Sequence, residues 1–130
     1  MTSAQSLVWG ESNRVIVMLE VNYDCKKCNK TRNVVFMVDT GTDSTIISPT
    51  VKKLITKDCK LKNATPGKVP IRINGRPISA KVSKDFFYYD TNILGMDFLK
   101  ENEIFFSMKL NNSNRDKSEL VFKFTEEQKE

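Results

Sequence analysis

The chain has 130 residues, of which 39% are hydrophobic and 28% charged, and its net charge at neutral pH is +5. These values fit one globular domain over residues 1–130, with a core from about 13 to 125 and flexible ends at 1–11 and 126–130. No apolar run approaches the roughly 18 residues of a membrane span, and no signal-peptide pattern opens the sequence. We therefore expect a cytoplasmic protein that is neither secreted nor in the membrane.

Histidine is absent from the sequence. This excludes Ser-His and Cys-His nucleophile pairs, so a hydrolase of this sequence must use carboxylates. The three cysteines are Cys25, Cys28 and Cys59. The first two have zinc-ligand spacing, but a structural zinc site usually needs four ligands. We expect reduced thiols in a polar turn, with no metal and no cofactor; zinc shared across a dimer is the alternative.

Positive charge is concentrated between Val51 and Lys84, where ten residues are basic and only Asp58 is acidic. Such a segment can attract nucleic acid. Its basic residues are not interleaved with aromatic residues, and no nucleic-acid-binding motif accompanies them. The favoured interpretation is therefore a set of solvated lysines on a sheet surface, with nucleic-acid binding as the lesser alternative.

The first third of the chain predicts three strands. Val15–Val21 is β-branched and apolar, and after a polar loop over 22–31 the same pattern returns in Asn33–Val38. These two runs predict a hairpin with a long loop. Ser44–Ser48 then predicts a short third strand.

The middle of the chain predicts one helical turn and a second hairpin. Pro49 suits the first position of a helix, and Leu54 and Ile55 are its expected apolar contacts. Further on, Asn74-Gly75 is the strongest hairpin signal in the sequence. The alternating strands that it joins are Val69–Ile73 and Pro77–Val82.

The last third begins with an aromatic run, Phe86–Tyr89, that we expect to be mostly buried. Asn92–Gly95 predicts a short apolar strand ending in glycine, and Met96–Asn102 consists of good helix formers. Ile104–Leu110 and Leu120–Phe124 flank a polar turn and predict a last hairpin. Many short strands without an internal repeat indicate a compact all-β domain.

The second predicted strand runs directly into Asp39-Thr40-Gly41, which places a carboxylate on a tight turn. The tripeptide alone is weak evidence, because a turn aspartate often only caps backbone N–H groups. The surrounding sequence strengthens the case for a catalytic aspartate. The buried-strand pattern precedes it, and Ile93-Leu94-Gly95 follows 54 residues after Asp39, itself followed by a predicted helix.

The two segments Phe36–Thr42 and Asn92–Leu99, in this order, resemble the motifs of the retropepsins. These are the aspartic proteases of retroviruses, LTR retrotransposons and related reverse-transcribing elements. The second segment is most similar to the form found in LTR-retrotransposon and plant pararetrovirus proteases. The resemblance runs from about Val15 to about Phe106. It implies an all-β closed barrel or sandwich with one short helix that works as a homodimer.

Two positions depart from the usual motifs. Met96 stands where lentiviral enzymes more often have an arginine that supports an intersubunit ion-pair network. We therefore expect the dimer of this chain to be held differently. Thr42 stands where alanine is usual, a change that we expect to be tolerated.

The resemblance also implies roles for individual residues. Asp39 would be the catalytic carboxylate, Thr40 would hydrogen-bond across the dimer axis, and Gly41 would bind the substrate backbone. Asp43 would line the cleft. Ile93 and Leu94 would form a hydrophobic wall that supports the catalytic loop and contributes to a side-chain pocket. For these two residues, ordinary core packing is the alternative.

Aspartic proteolysis needs two carboxylates that share a proton. The sequence contains no second Asp-Thr-Gly or Asp-Ser-Gly, so the resemblance implies that a twofold-related copy supplies the other aspartate. The expected activity is an acid-favoured aspartic endopeptidase that cleaves peptide or polyprotein substrates of a virus or retrotransposon. The alternative is a retropepsin-like binding or dimerisation module without turnover.

The resemblance further implies a flap, a hairpin that covers the substrate and excludes water. We expect its tip within Lys62–Lys68, and Asn74-Gly75 is the competing candidate. The flap residues so predicted are Asn63, Ala64, Thr65, Pro66 and Gly67.

Overall fold

The computed structural model describes residues 2–3, 5–9, 14–26, 30–57, 59, 67–84, 90–109 and 119–125. These residues form ten strands and two short helices. The all-β class expected from the sequence is therefore confirmed, and the two short helices lie where the sequence predicts them, one more than the resemblance implies. None of the helices in the described part of the chain is long and apolar enough to cross a membrane.

Six strands close into a ring, and a seventh, β2, pairs with the first half of β3, along the edge of β3 whose last residues pair with β6. The order is β2-β3-β4-β8-β5-β7-β6, and β6 pairs again with β3 to complete the ring. This closure makes a barrel, as expected. The strands are β2 (Gln5–Trp9), β3 (Arg14–Tyr23), β4 (Arg32–Val38), β5 (Ile46–Ile47), β6 (Lys68–Ile73), β7 (Arg76–Val82) and β8 (Ile93–Leu94).

Alternation of side chains explains why these segments form a barrel around one core. Along β3 and β6, buried apolar residues alternate with exposed or half-buried ones, as expected for strands with one face turned inward. Phe36, Ile47 and Leu94 are fully buried in the core inside the ring. The predicted strand at Ser44–Ser48 is shorter than expected, because only Ile46–Ile47 keeps strand pairing.

The hairpin between β6 and β7 turns at Asn74-Gly75, as predicted. Both residues have positive φ angles, 48° and 79°, the conformation that favours Asn-Gly in two-residue hairpin loops. Asn74 also closes the barrel, because its side-chain Oδ1 accepts a hydrogen bond of 2.8 Å from the backbone N–H of Glu20 in β3.

A second, three-stranded sheet has the order β1-β10-β9. It consists of β1 (Thr2–Ser3), β9 (Phe105–Lys109) and β10 (Glu119–Phe124), all antiparallel. The predicted last hairpin is thereby confirmed. The expectation of a flexible start over residues 1–11 is wrong for Thr2–Ser3 and Gln5–Trp9, because β1 pairs with β10 and β2 pairs with β3.

Helix α1 (Pro49–Thr56) follows β5. It begins at Ser48, whose side chain accepts a hydrogen bond from the Val51 N–H, and Pro49 occupies the first helical turn as predicted. Of its two expected apolar contacts, Ile55 is buried. Leu54 is 44% exposed, so that part of the prediction is wrong; two consecutive helical residues point about 100° apart, and only one can face the core. Helix α2 (Met96–Glu101) follows β8.

Some expectations fall outside the described residues, namely those for Phe86–Tyr89, for Cys28, for 126–130 and for most of the flap segment.

Cys25 is a free thiol, whereas Cys59 is disulfide-bonded. The expectation of reduced thiols throughout is therefore wrong for Cys59. Spacing along the chain does not reveal which cysteines the fold brings within bonding distance.

Candidate active site

The candidate site is a loop over residues 39–45 that joins β4 to β5. Strand β8 lies between these two strands, parallel to β4 and antiparallel to β5. The loop therefore has to pass the end of β8 to connect its neighbours. This arrangement brings the two sequence motifs together, since Val38 pairs with Leu94 directly before Asp39.

The Asp39 carboxylate receives two hydrogen bonds from its own loop. The Gly41 N–H donates to Oδ1 at 2.9 Å, and the Thr42 hydroxyl donates to Oδ2 at 2.8 Å. Asp39 is half-buried. A carboxylate has about four acceptor positions, so these two donors fix the plane of the group and leave positions for a water molecule or a protonated carboxyl group.

Backbone hydrogen bonds hold the loop to the segment that follows β8. The Asp39 N–H donates to the Leu94 carbonyl at 3.1 Å, the Met96 N–H to the Thr42 carbonyl at 2.8 Å, and the Asp97 N–H to the Asp43 carbonyl at 3.0 Å. The last two donors belong to the first turn of α2, where backbone N–H groups have no partner within the helix. The loop carbonyls therefore accept the N–H groups at the start of α2, and the same hydrogen bonds hold the loop in place.

Asp97 and Thr45 add a side-chain network that the sequence analysis did not identify. The Asp97 carboxylate accepts hydrogen bonds from the Thr45 N–H at 3.0 Å, the Thr45 hydroxyl at 2.7 Å and the Phe98 N–H at 2.7 Å. The Thr45 hydroxyl in turn accepts from the Gly95 N–H at 3.1 Å. Thr45 is fully buried. The local signal for this network in the sequence is an acidic residue, Asp97, two positions after the predicted glycine.

Gly95 is required by close approach of the backbone. A Cβ atom at this position would lie 2.5 Å from the carbonyl carbon and oxygen of Ser44 and 2.9 Å from the Thr45 nitrogen. No ordinary side chain fits there, because the glycine packs directly beneath the candidate loop.

The predicted site residues divide into an exposed group and a buried group. Thr40, Gly41 and Asp43 are exposed on the loop. Ile93 and Leu94 are 3% and 0% exposed, so they support the loop from the core; their contribution to a substrate pocket stays a prediction. Of the predicted flap residues, only Gly67 lies in the described part of the chain, where its carbonyl accepts a hydrogen bond from the Val82 N–H at 2.9 Å.

Two further features bear on what the site can do. Within the described residues, no group of three or more His, Cys, Asp or Glu side chains lies close enough together to hold a metal ion. A groove of about 630 Å³ lies between β4 and α1, lined among others by Val35, Met37 and Leu54. None of its lining residues belongs to the 39–45 loop, so this groove is separate from the candidate site.

Two solved structures are similar to the chain over most of its length. One is a retropepsin-like aspartic protease from Rickettsia conorii, with 15% identity, a TM-score of 0.49, and 97% of each chain covered. The other is the retroviral protease-like domain of Ddi1 from Leishmania major, with 17% identity, a TM-score of 0.46, and 84% of this chain and 91% of that chain covered. No protein-family model matches the chain, and no curated protein does.

Both structural relatives are thus retropepsin-like, which is the resemblance that the two sequence motifs indicate. At 15% and 17% identity, these similarities concern the fold alone.

Proposed function

We propose that this chain is one half of an aspartic endopeptidase that acts as a homodimer, with one Asp39 from each copy. The observation that carries the proposal is the cradle of the Asp39 carboxylate. Its two oxygens are fixed by Gly41 and Thr42 on a loop that α2 and β8 support from below. A turn aspartate that only caps the backbone needs no more than the Gly41 bond, and the Thr42 hydroxyl adds a second donor at the other oxygen.

In the proposed mechanism, the two Asp39 carboxylates share one proton. Two carboxyl groups about 3 Å apart do not both ionise readily, so one group is protonated while the other is not. The ionised group accepts a proton from water, which attacks the peptide carbonyl carbon, and the protonated group donates to the carbonyl oxygen. In each copy, the hydrogen bonds from Gly41 and Thr42 would hold the Asp39 carboxylate in an orientation coplanar with that of the other copy.

The exposed loop residues suit contact with a second chain and with a substrate. Thr40 is exposed, and its side chain has no hydrogen-bond partner within the described residues, which leaves its hydroxyl available to bond across the dimer axis. Gly41 and Asp43 would contact the substrate backbone and line the cleft. The substrates that the motifs favour are extended segments of a viral or retrotransposon polyprotein, cleaved in the cytoplasm without a cofactor.

The proposal is tested with a peptide library at mildly acidic pH. We expect cleavage by the parent chain and a loss of about 10²–10⁴-fold in Asp39→Asn, the range for removal of general acid–base catalysis. Asp90→Asn is the matched control, because Asp90 is an exposed aspartate outside the 39–45 loop. Cleavage that persists in Asp39→Asn would refute the assignment.

The second candidate is a binding or dimerisation module of the same fold. A parent chain that is folded and dimeric but cleaves no peptide in the library, under conditions in which a control aspartic protease does, would support this candidate instead.

A further inference from the structure

The first half of β4 is an open sheet edge. One side of β4 pairs with β3 from Arg32 to Met37, whereas β8 pairs with the other side only at Met37 and Val38. Among the described strands, none pairs with this second side before Met37. An unpaired edge presents a row of backbone N–H and C=O groups to which another strand can bond.

Three backbone groups are left open on this edge. The Met37 N–H points away from β3, since it donates to the Asn92 carbonyl at 2.8 Å. The backbone groups of alternate residues in a strand point to the same edge, so those of Asn33 and Val35 also point away from β3. The Val35 carbonyl accepts a hydrogen bond of 3.4 Å from the Asn92 side chain. The Val35 N–H and both backbone groups of Asn33 have no partner among the described residues.

The open edge borders the groove of about 630 Å³ between β4 and α1. Val35 on the β4 wall is 52% exposed, and Leu54 on the α1 wall is 44% exposed. Val51 and Ile55 of α1 also line the groove. Binding sites typically combine such apolar walls with a few polar groups that fix the orientation of the ligand. Here the polar groups belong to a strand edge, so the fitting ligand is an extended peptide.

The groove carries one charge toward each end of the open edge. Arg32 is the first residue of β4 and lines the groove at the start of the edge. Asp90 also lines the groove, two residues before Asn92, whose hydrogen bond to β4 marks the other end. Both charged residues are exposed, and neither side chain has a partner among the described residues. The groove is therefore complementary to a peptide with opposite charges a few residues apart.

A parallel strand fits the three open backbone groups without remainder. One of its carbonyls accepts the Asn33 N–H. Two residues further on, its N–H donates to the Asn33 carbonyl and its carbonyl accepts the Val35 N–H. Beyond the open edge the chain itself bonds to β4 in this way, since the carbonyls of Asn92 and Leu94 accept N–H groups on the same edge. An antiparallel strand would also need the Val35 carbonyl, which Asn92 occupies.

We propose that this groove binds an extended peptide, which adds to β4 as a parallel strand with an acidic residue beside Arg32 and a basic residue beside Asp90. Because β4 begins at Arg32, the acidic residue is the N-terminal one of the two, with apolar residues between them. The site is distinct from the 39–45 loop, and the proposal does not rest on the proposed function.

The direction of the strand is tested with two probes of one composition. The first is the peptide Glu-Thr-Val-Ile-Val-Thr-Lys with blocked termini, and in the second the two charged residues are exchanged. Fluorescence anisotropy at low ionic strength measures both dissociation constants. We expect the first probe to bind at least about threefold more tightly, because only this probe forms both exposed ion pairs. Equal constants, tighter binding of the second probe, or no binding up to about 1 mM would overturn the proposal.

A charge exchange in the protein tests the same pairing from the other side. Arg32→Glu combined with Asp90→Lys reverses both charges of the groove. We expect this double variant to prefer the second probe over the first. A double variant that keeps the preference of the parent would overturn the assigned contacts.

Val35→Pro tests the backbone contact. It removes the open N–H and keeps the hydrogen bonds to β3, an arrangement in which edge strands tolerate proline. We expect the dissociation constant of the first probe to rise at least about fivefold. The matched control is Val35→Thr, which keeps both the N–H and the β-branched shape and should stay within about twofold of the parent. An unchanged constant in Val35→Pro, or an equal rise in Val35→Thr, would overturn the proposal.

Leu54→Lys tests the α1 wall without any change in the backbone, so it decides the matter if Val35→Pro does not fold. The charge in the apolar wall should raise the dissociation constant of the first probe at least about fivefold. The matched control is Met18→Lys, since Met18 is 39% exposed and does not line the groove. Circular dichroism establishes that the variants fold. Equal effects of Leu54→Lys and Met18→Lys would overturn the proposal.

The binding measurements do not depend on catalysis, so the two proposals can fail separately. A chain without peptidase activity that binds the first probe through Leu54 and Val35 would retain the groove site and refute the proposed function. An active enzyme whose probe binding is the same in Leu54→Lys as in the parent would retain the function and refute the groove site.

Discussion

The 39–45 loop and strand β9 differ in how many of their polar and apolar groups find partners within one chain. The loop is held within the chain by the backbone bonds to Leu94 and α2 and by the buried Asp97–Thr45 pair. Among the described strands, β9 pairs only with β10, and its apolar side chains are exposed. The hydrogen bonds of the loop are made within one copy, whereas the described residues leave the apolar side chains of β9 uncovered.

On the proposed function, the hydrogen bonds within the loop explain how half of a catalytic site can be stable in a single copy and yet inactive there. A catalytic loop needs fixed geometry before its partner arrives, because misplaced groups lose most of the advantage of proximity. The chain supplies that rigidity through its own hydrogen bonds. In the proposed enzyme the second carboxylate comes from another copy, so each copy has to hold its own loop in place before the two meet.

The largest expected effect on stability comes from Gly95→Ala. The added Cβ would lie 2.5 Å from the Ser44 backbone, and overpacking against backbone should lower the free energy of unfolding by about 3 kcal/mol. Urea denaturation measures this change. Gly41→Ala is the control, because its Cβ would meet only the Asp39 carboxylate, at 3.2 Å, and we expect a change below about 1 kcal/mol. Equal effects at the two glycines would contradict the description of the loop.

A smaller effect is expected from Asp97→Ala. It leaves the buried Thr45 N–H without its acceptor, which should cost about 1–3 kcal/mol of stability. Because Asp97 acts as a positioning residue for the loop, kcat should fall while KM changes little. Asp97→Asn keeps one carbonyl oxygen as acceptor and should recover part of kcat. If Asp97→Asn and Asp97→Ala had the same kcat, the acceptor role of Asp97 would be wrong.

The smallest effect is expected from Thr42→Ala. It removes one of the two donors to Asp39 but leaves the Gly41 N–H in place. Since the hydroxyl is only part-buried, water can take over the lost bond, and kcat/KM should fall by less than about tenfold. Thr42→Ser should match the parent. A loss in Thr42→Ala as large as that in Asp39→Asn would mean that the loop depends on this hydroxyl.

Much of the barrel was predictable because its signals are local. β-Branched alternation marked β3 and β4, and Asn74-Gly75 marked the turn between β6 and β7, whose positive φ angles few other dipeptides adopt. The strands at the start of the chain were not predictable in this way. β1 is stabilised by pairing with Phe124 and Lys123 at the other end of the sequence, a long-range contact that leaves no periodic pattern in a two-residue strand.

In the candidate site, too, the features with local signals were predictable and those that depend on long-range contacts were not. The Asp39 turn was predictable because strand, turn and glycine follow one another directly in the sequence. The Thr45–Asp97 bonds join residues 52 positions apart, and neither residue type is unusual for its place. The exposure of Leu54 and the disulfide at Cys59 also depend on tertiary packing, which determines what a helix face or a thiol meets.

The central claim, that Asp39 is half of a site, is tested most directly by mixing two kinds of chain. Asp39→Asn protein is added in increasing amounts to a fixed concentration of parent protein, and the rate of peptide cleavage is followed after subunit exchange. If each site needs two Asp39 residues, mixed dimers are inactive and the rate should fall in proportion to the fraction of parent chains in the mixture. A rate that stays constant as Asp39→Asn protein is added to a fully dimeric parent would show that one chain suffices, and would contradict the account.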